Sequence, residues 1–212
     1  MHLTVDEFVI ADPPEAWRAA GFSVDDRGVC HVGTVRLRFA GAGSGLGIIG
    51  WSLRGLEASA DVDGVATAPS TTDPAIPAEH PNGVVSIDHA VLMSPDLARA
   101  EGALEAIGLH PRRRRDGELG GAPIRQVFYR LGEVVLELVG SPETHDDGPA
   151  HFWGLTFTVA NIDASARFFG ENTGRVKDAV QPGRRITTLR HQALGLSVAT
   201  ALITPDACRA GR

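Results

Sequence analysis

The 212-residue sequence predicts an α+β fold of two paired β-α-β-β-β modules, preceded by a truncated module-like segment. The first observation is a strand pattern followed by a capped helix pattern over residues 84–108, and the second is the return of that order in the last third of the chain. The third is a pair of similar offsets: SPE at 141–143 matches TPD at 204–206, 63 residues on, and Asp96 matches Asp163, 67 residues on. Such offsets indicate an internal duplication.

The elements of the first copy follow from its residues. The run VVSIDHAVLM is rich in β-branched residues, which favours a strand. Asp96 is suited to cap a helix, because its carboxylate can accept hydrogen bonds from the free N–H groups of the first turn. The next apolar residues recur at spacings of 3, 4 and 3 and share one helix face, before Gly108 ends the helix: Leu97, Ala100, Leu104 and Ile107. Three strand patterns follow in LHPRRRR, IRQVFYRLG and GEVVLELVG.

The second copy repeats this order. FWGLTFTVANIDASARFF predicts a strand and a short helix, with Asp163 as the cap. Ile162, Ala166 and Phe169 form the apolar face of that helix, and GRRITTLR and LGLSVATALITPD supply the closing strands. Phe152 and Trp153 can line a cavity or pack in the core, and core packing is the preferred interpretation.

Residues 61–83 divide the chain in this prediction, because they contain four prolines, no aromatic residue and no helical period. We therefore predict a linker at 61–83 between a truncated segment, 1–60, and a domain, 84–206. In the truncated segment, EFVIADPPEAWRAAGF predicts a strand, a turn and a short helix, which makes it a shortened copy plus the start of another. Such an incomplete unit could donate strands to a second copy of the chain, so a homodimer is possible.

Composition restricts the classes of partner. With 26 acidic and 20 basic side chains the net charge is −6, which argues against binding to nucleic acid. No apolar run approaches the length of a membrane span, and the N-terminus lacks the basic start of a secretory signal. Cys30 and Cys208 form no metal or redox motif, which favours the cytoplasm. The run RRRR at 112–115 is interpreted as a solvated face, and a small molecule is the expected partner.

SIDHAVLMSPDLARAEGALEAIGL followed by RQVFYRLGEVVLELVG resembles the glyoxalase/bleomycin-resistance/extradiol-dioxygenase group, the vicinal oxygen chelate superfamily. The markers are a histidine in the first strand, a helix that begins with Asp-Leu, and a glutamate in the last strand. The resemblance covers 84–206 well and 1–60 loosely. It implies paired modules that curl around a shared cavity. The superfamily includes lyases, isomerases, dioxygenases and non-catalytic drug-binding proteins, so the resemblance implies no single activity.

The resemblance also implies two metal ligands, His89 in the first strand and Glu137 in the last. An imidazole and a carboxylate suit zinc, iron, nickel or manganese. The corresponding positions of the second module are Thr156 and Thr200, which are not usual ligands, so half of the ligand set is missing. Two other interpretations remain open. His89 and Glu137 can line the cavity as relics, or they can act as an acid–base pair without metal.

Arginine and amide side chains mark the start of equivalent strands in both modules. A guanidinium beside an amide suits a carboxylate or another oxygen-rich group, and Gln181 with Arg185 is the preferred pair. Clusters of arginine at exposed strand ends also arise by chance. The residues predicted to bind substrate are Arg125, Gln126, Thr156, Gln181, Arg184 and Arg185.

Two functions follow. In the first, the chain is a glyoxalase-like lyase, isomerase or dioxygenase, in which His89 and Glu137 hold a divalent ion that polarises the substrate. Gln181 and Arg185 would orient that substrate. In the alternative, the chain is a metal-free small-molecule binding or drug-sequestering protein, like the bleomycin-resistance members of the superfamily.

Overall fold

The computed structural model describes residues 2–206, apart from the side chain of Leu119, so Cys208 lies outside the described residues. Three α-helices and fourteen strands are present in that range, with short 3-10 turns at Ala42–Ser44, Gly170–Asn172 and His191–Leu194. In chain order the elements are β1 (Thr4–Ile10), α1 (Pro14–Ala19), β2 (Val29–Val32), β3 (Val35–Phe39), β4 (Ile48–Arg54), β5 (Ala60–Val62), β6 (Val65–Ser70), β7 (Val84–Met93), α2 (Leu97–Ala106), β8 (Arg113–Leu119), β9 (Ala122–Leu131), β10 (Val134–Gly140), β11 (His151–Val159), α3 (Ile162–Phe169), β12 (Lys177–Asp178), β13 (Arg185–Thr188) and β14 (Ala199–Ile203).

The C-terminal part contains two complete β-α-β-β-β modules. Counting from the N-terminus, these are the third and fourth of four modules in the chain, and they correspond to the two modules that the sequence predicts. In the third module, β7 to β10 with α2, the strand order is β7-β10-β9-β8 and β7 runs parallel to β10. The fourth module, β11 to β14 with α3, has the same order, and β11 runs parallel to β14. The two modules join where β7 and β11 pair antiparallel. The predicted fold class is confirmed.

The N-terminal part contains two shortened modules. The first module is β1, α1, β2 and β3, and β1 runs parallel to β3. The second module is β4, β5 and β6 without a helix, and β4 runs parallel to β6. Strands β1 and β4 pair antiparallel, as β7 and β11 do. The strands expected to pair with a second copy of the chain therefore pair within this one, and the possible homodimer stays a prediction.

The predicted linker at 61–83 is wrong for its first ten residues, which belong largely to β5 and β6. Val65 and Thr67 alternate with exposed neighbours and are buried, as strand residues that face a core are. Pro69 lies within β6 but two residues beyond Thr67, the last residue of β6 that pairs with β5, so it interrupts no pairing on that side. Residues 71–83 lack regular structure but lie against the first module, where the Ala75 and Ala78 amides donate to β2–β3. The domain boundaries stay a prediction.

The two helix caps differ, and the difference changes how the modules align. Asp96 caps α2 as predicted: its Oδ1 accepts from the Arg99 amide at 3.0 Å. The cap of α3 is Asn161 rather than Asp163, since the Asn161 Oδ1 accepts from the amides of Asp163 and Ala164 at 3.1 and 3.0 Å. Asp163 lies in the first turn instead. Matching the true caps gives an offset of 65, the difference between 161 and 96.

An aromatic cluster joins the N-terminal and C-terminal halves. Ile48 of β4 pairs with Phe152 of β11, and the Phe152 ring lies 5.4 Å from Phe8 and 5.2 Å from Trp51, centroid to centroid. The expectation that Trp153 packs in the core is wrong, because 57% of it is exposed. Neighbouring residues of a strand point to opposite faces, so burial of Phe152 directs Trp153 outward.

No helix in residues 2–206 is long and apolar enough to cross a membrane, and the longest, α2, has ten residues.

Candidate functional site

A cavity of about 680 Å³ lies between the concave face of the third module and the β12–β13 segment of the fourth. Its volume is in the range of small-molecule sites. On β8, β9 and β10 alternate residues point into it, because side chains alternate across a sheet. On β7 two consecutive residues, Asp88 and His89, line it, at a register shift in the pairing of β7 with β11. The third module contributes Asp88, His89, Arg113, Arg115, Gln126, Phe128, Val135 and Glu137, and the fourth contributes Gln181 and Arg184 among others.

His89 lies between two carboxylates in this wall. Its Nδ1 is 2.9 Å from the Asp88 Oδ2, and its Nε2 is 3.8 Å from the Glu137 Oε2. Burial by itself would raise the pKa of Asp88, but hydrogen bonds from His89 and Arg184 outweigh that effect and lower the pKa to about 2. Asp88 is therefore ionised at neutral pH and can only accept. The His89 Nδ1 is therefore the donor in this hydrogen bond, which directs the Nε2 edge of the ring toward Glu137.

Arg184 anchors this arrangement from the fourth module. Its guanidinium donates to the Asp88 Oδ1 at 2.6 Å and to the Thr204 carbonyl oxygen at 2.6 and 2.8 Å. Arg184 is buried, with 7% of the residue exposed, so the ion pair is shielded from water. The orientation of His89 thus depends on a residue that is distant in sequence.

A second set of contacts fixes Glu137. Gln126 donates through its amide nitrogen to the Glu137 Oε1, and the Gln126 Oε1 accepts from the Arg115 Nε at 2.7 Å. Register explains the contacts, because Arg115 and Gln126 are directly opposite on β8 and β9. Glu137 of β10 is directly opposite Phe128 of β9, two residues from Gln126, so Gln126 and Glu137 are diagonal neighbours on the same face. A continuous polar chain therefore runs across the concave face from Arg115 to Arg184.

Two of the arginines predicted to bind substrate lie elsewhere. Arg125 is on the other face of β9 from Gln126, and its Nε donates to the Asp116 Oδ1 at 2.6 Å. Arg185 is exposed and holds Asp163 of α3 through two contacts of 2.8 Å. The preferred pair of Gln181 with Arg185 is therefore not formed at the cavity. Strand alternation is the reason: the residue before Arg185, Arg184, faces the cavity instead.

The two threonines of the fourth module lie on different faces of the sheet. Thr156 is directly opposite His89 on β11, so it shares the concave face, but it is buried and does not line the cavity. Thr200 is in register with Leu155 on the other face, and its hydroxyl donates to the Val198 carbonyl oxygen at 2.9 Å. The predicted correspondence between Glu137 and Thr200 is thus wrong by one residue, which reverses the face.

The donors present do not fit a resident divalent metal ion. His89 and Glu137 are two donors, and residues 2–206 contain no group of three or more histidine, cysteine, aspartate or glutamate side chains that could hold a metal. With the helix caps aligned, Gly154 matches His89, and a Cβ built there would lie 2.3 Å from the Ala199 carbonyl oxygen. No ligand side chain fits at that position. Catalytic and structural metal sites normally use three or four protein ligands.

Sequence reasoning missed several residues that line the cavity, among them Asp88, Arg113 and Arg115. Asp88 is next to the predicted His89 in the SIDHA motif, but its role depends on Arg184, 96 residues later. The interpretation of RRRR as a solvated face fits the exposure of Arg113, but it missed that Arg113 and the half-buried Arg115 line the cavity. The available signal was the alternation of side chains within a strand, which directs consecutive arginines to two different faces of β8.

No family model and no curated protein matches the chain. A triple mutant of 4-hydroxymandelate synthase from Streptomyces coelicolor is similar in structure, with a TM-score of 0.65 and 14% identity over 97% of this chain and 92% of that one. A xylose isomerase-like TIM barrel/4-hydroxyphenylpyruvate dioxygenase fusion protein has a TM-score of 0.63 and 13% identity over 99% of this chain and 49% of that one.

Both neighbours are members of the superfamily that residues 84–206 of this sequence resemble. This chain has the vicinal oxygen chelate fold. At identities of 13 and 14% the similarity establishes the fold and no activity, and the chain spans about half of the fusion protein. The chemistry of this chain must therefore be derived from the residues of the cavity itself.

Proposed function

We propose that the chain binds a small oxygen-rich or aromatic molecule in the cavity, and that His89 acts on it as an acid–base group without a metal. The observation that carries the proposal is the contact of the His89 Nδ1 with Asp88, at 2.9 Å. A carboxylate in that place orients a histidine and stabilises its cationic form, as general acid–base catalysis requires. Glu137, on the other side of the ring, adds a second carboxylate.

The proposed chemistry is a proton transfer. The neutral His89 accepts a proton at Nε2 from a C–H or O–H group of the ligand, and the electron pair of that bond stays on the ligand. The imidazolium then lies between Asp88 and Glu137, at 2.9 and 3.8 Å from their oxygens. Return of the proton to another atom of the ligand completes an isomerisation, and loss of a leaving group completes an elimination. Neither needs an oxidant.

The proposal predicts exchange of ligand hydrogen with solvent. Phenylacetone and phenylpyruvate are aromatic ketones with acidic C–H bonds, one neutral and one a carboxylate. We expect the wild-type protein to catalyse exchange of hydrogen for deuterium, in at least one of them, at the carbon between the phenyl ring and the ketone carbonyl. His89→Ala should lower the rate by about 100-fold or more. Proton NMR in deuterated water measures the loss of the C–H signal, against the rate in buffer.

The control for this experiment is Arg125→Ala, since Arg125 is bound to Asp116 on the outer face of the sheet. It should exchange at the wild-type rate. Binding of either ketone without exchange above the buffer rate would contradict the acid–base role and leave the alternative, a metal-free sequestering protein. Absence of binding for both would contradict the cavity proposal itself.

A separate prediction concerns metal. Because the donor set is limited to His89 and Glu137, we expect the purified protein to contain far less than one equivalent of zinc, iron, nickel or manganese. EDTA should leave the melting temperature unchanged, since removal of a bound ion would destabilise the folded state. Elemental analysis and a thermal melt test both points. About one equivalent of metal that disappears in His89→Ala would show a metal-dependent protein.

The cytoplasmic location remains part of the proposal and rests on the state of Cys30. This thiol is free and buried, which suits a reducing compartment. Burial, with a smaller effect of Asp25, raises the pKa of Cys30 to about 12, so the thiolate is not formed at neutral pH. Cys30 therefore takes no part in the proposed chemistry.

A further inference from the structure

Strand β8 divides the arginine run at 112–115 between its two faces. Arg113 and Arg115 line the cavity. Arg114 is on the other face, where its guanidinium contacts the Glu101 Oε2 of α2 at 2.5 Å. Two cations separated by one residue are thus directed into the same cavity, at a Cα separation of about 6.8 Å.

Neither acidic residue of this hairpin, Asp116 or Glu118, neutralises them, because both alternate with Arg113 and Arg115 and so belong to the other face of β8. Asp116 lies on the outer face, where both of its carboxylate oxygens are held by Arg125 at 2.6 and 3.1 Å. Within residues 2–206, the Arg113 guanidinium makes no hydrogen bond or ion pair. Arg115 uses its Nε for Gln126, which fixes the plane of the guanidinium and leaves its two terminal nitrogens without a hydrogen-bond partner in the described chain. The β8 wall of the cavity therefore presents two guanidinium groups that form no ion pair with an acidic side chain in residues 2–206.

Apolar side chains lie directly beside these cations. Phe128 is opposite Arg113 on the neighbouring strand and also opposite Glu137 on the next one. Val135 precedes Glu137 by two residues on the same face. The distance from the arginine strand to the Glu137 strand is two strand spacings, or about 10 Å. A small molecule can therefore contact the arginines, the Phe128 ring and the His89 site together.

We infer that the ligand is a small carboxylate with an apolar, aromatic body, which Arg113 and Arg115 bind at its charged end while Phe128 and Val135 contact its body. This inference deepens the proposed function and rests on it, because it names the class of ligand for the same cavity. A planar guanidinium fixed by a neutral amide favours a planar group with two oxygens, which a carboxylate is. The opposite end of the ligand then lies toward His89.

The test uses phenylacetate and its neutral analogue, phenylacetamide, with the full-length protein. We expect the wild-type protein to bind phenylacetate about tenfold more tightly than phenylacetamide, or better, and to lose affinity for phenylacetate as salt rises. The double variant R113A/R115A should bind the two compounds with similar affinity. Ligand-observed NMR titrations give the four dissociation constants.

The matched control is R114A/R125A, which removes two positive charges from the outer face of the same hairpin. It should keep the wild-type preference for phenylacetate, so any loss in R113A/R115A cannot come from net charge alone. Equal binding of both compounds to the wild-type protein, or equal loss in both double variants, would overturn the carboxylate assignment while leaving the cavity proposal intact. Failure of both compounds to bind the folded wild-type protein would overturn both proposals.

Discussion

Phe152→Ala is expected to lower the free energy of unfolding by about 3–5 kcal/mol. The Phe152 ring is buried and packs edge-on against Phe8 and Trp51. Its backbone forms the pairing of β11 with β4 through Ile48. Truncation removes the ring contacts and leaves a cavity at the place where the N-terminal and C-terminal halves share one sheet. The surrounding aromatic rings are too rigid to fill that space completely.

Trp153→Ala provides a control in the adjacent residue of the same strand. Because more than half of Trp153 is exposed, its removal should change the unfolding free energy by about 0.5 kcal/mol or less. Urea unfolding followed by circular dichroism measures both variants, since the far-ultraviolet signal depends little on the loss of one tryptophan. Equal destabilisation by the two variants would contradict the observed orientation of β11.

The duplication of the module was predictable because its signals are local. The apolar spacing of α2 and the cap at Asp96 lie within a few residues of each other, and β-rich runs bounded by glycine and proline mark the strands. The sequence predicts Asp163 as the cap of α3 because Asp163 matches Asp96, the cap of α2, in residue type. Asn161 accepts the same hydrogen bonds, so two residues that cap equally well lay within one short segment.

The site was only partly predictable because the face of a strand residue reverses with a shift of one position. Five predicted residues do line the cavity. The resemblance identifies His89 and Glu137, and the position of amide and arginine side chains at the start of equivalent strands identifies Gln126, Gln181 and Arg184. Arg185 was preferred over its neighbour although both have the same side chain.

Pairing between distant residues was beyond the reach of the sequence. Nothing within the segment around Asp88 indicates that Arg184 will reach it, since the contact requires β7 and the turn before β13 to meet across the cavity. The same holds for Arg113 and Arg115 of β8, which form no ion pair within residues 2–206. The number of arginines is evident from the sequence, but which of them meet an acid depends on the register of β8 with β9 and the position of α2.

Asp88→Ala is expected to lower the free energy of unfolding by about 3–5 kcal/mol at pH 7, because it leaves the buried guanidinium of Arg184 without its counter-ion. Asp88→Asn keeps the size of the side chain and removes the charge, so it isolates the electrostatic part. The folded-state pKa of Asp88 is about 2, against an ordinary value of 3.8. That depression corresponds to about 2 kcal/mol of stability contributed by the ionised form.

The sign of the pH dependence follows from this depression. A carboxyl group with a lowered folded-state pKa stabilises the fold fully above its unfolded pKa, and loses that contribution as the pH falls through about 2. The difference in stability between wild type and Asp88→Asn should therefore be constant from pH 7 to about pH 5 and shrink between about pH 4 and pH 2. Urea titrations at several pH values measure it. Asp116→Asn, which disrupts an exposed ion pair with Arg125, should show little change.

A double-mutant cycle separates the ion pair from its desolvation. Arg184→Met keeps an unbranched chain of similar length without charge, so it removes the unpaired cation that makes Asp88→Asn costly. If the pair is coupled as its 2.6 Å contact indicates, the double variant should be more stable than Asp88→Asn alone. Recovered stability without recovered deuterium exchange would then assign to Asp88 a second role, the orientation of His89, which no apolar replacement can supply. Additive losses in the cycle would show that the two side chains act independently.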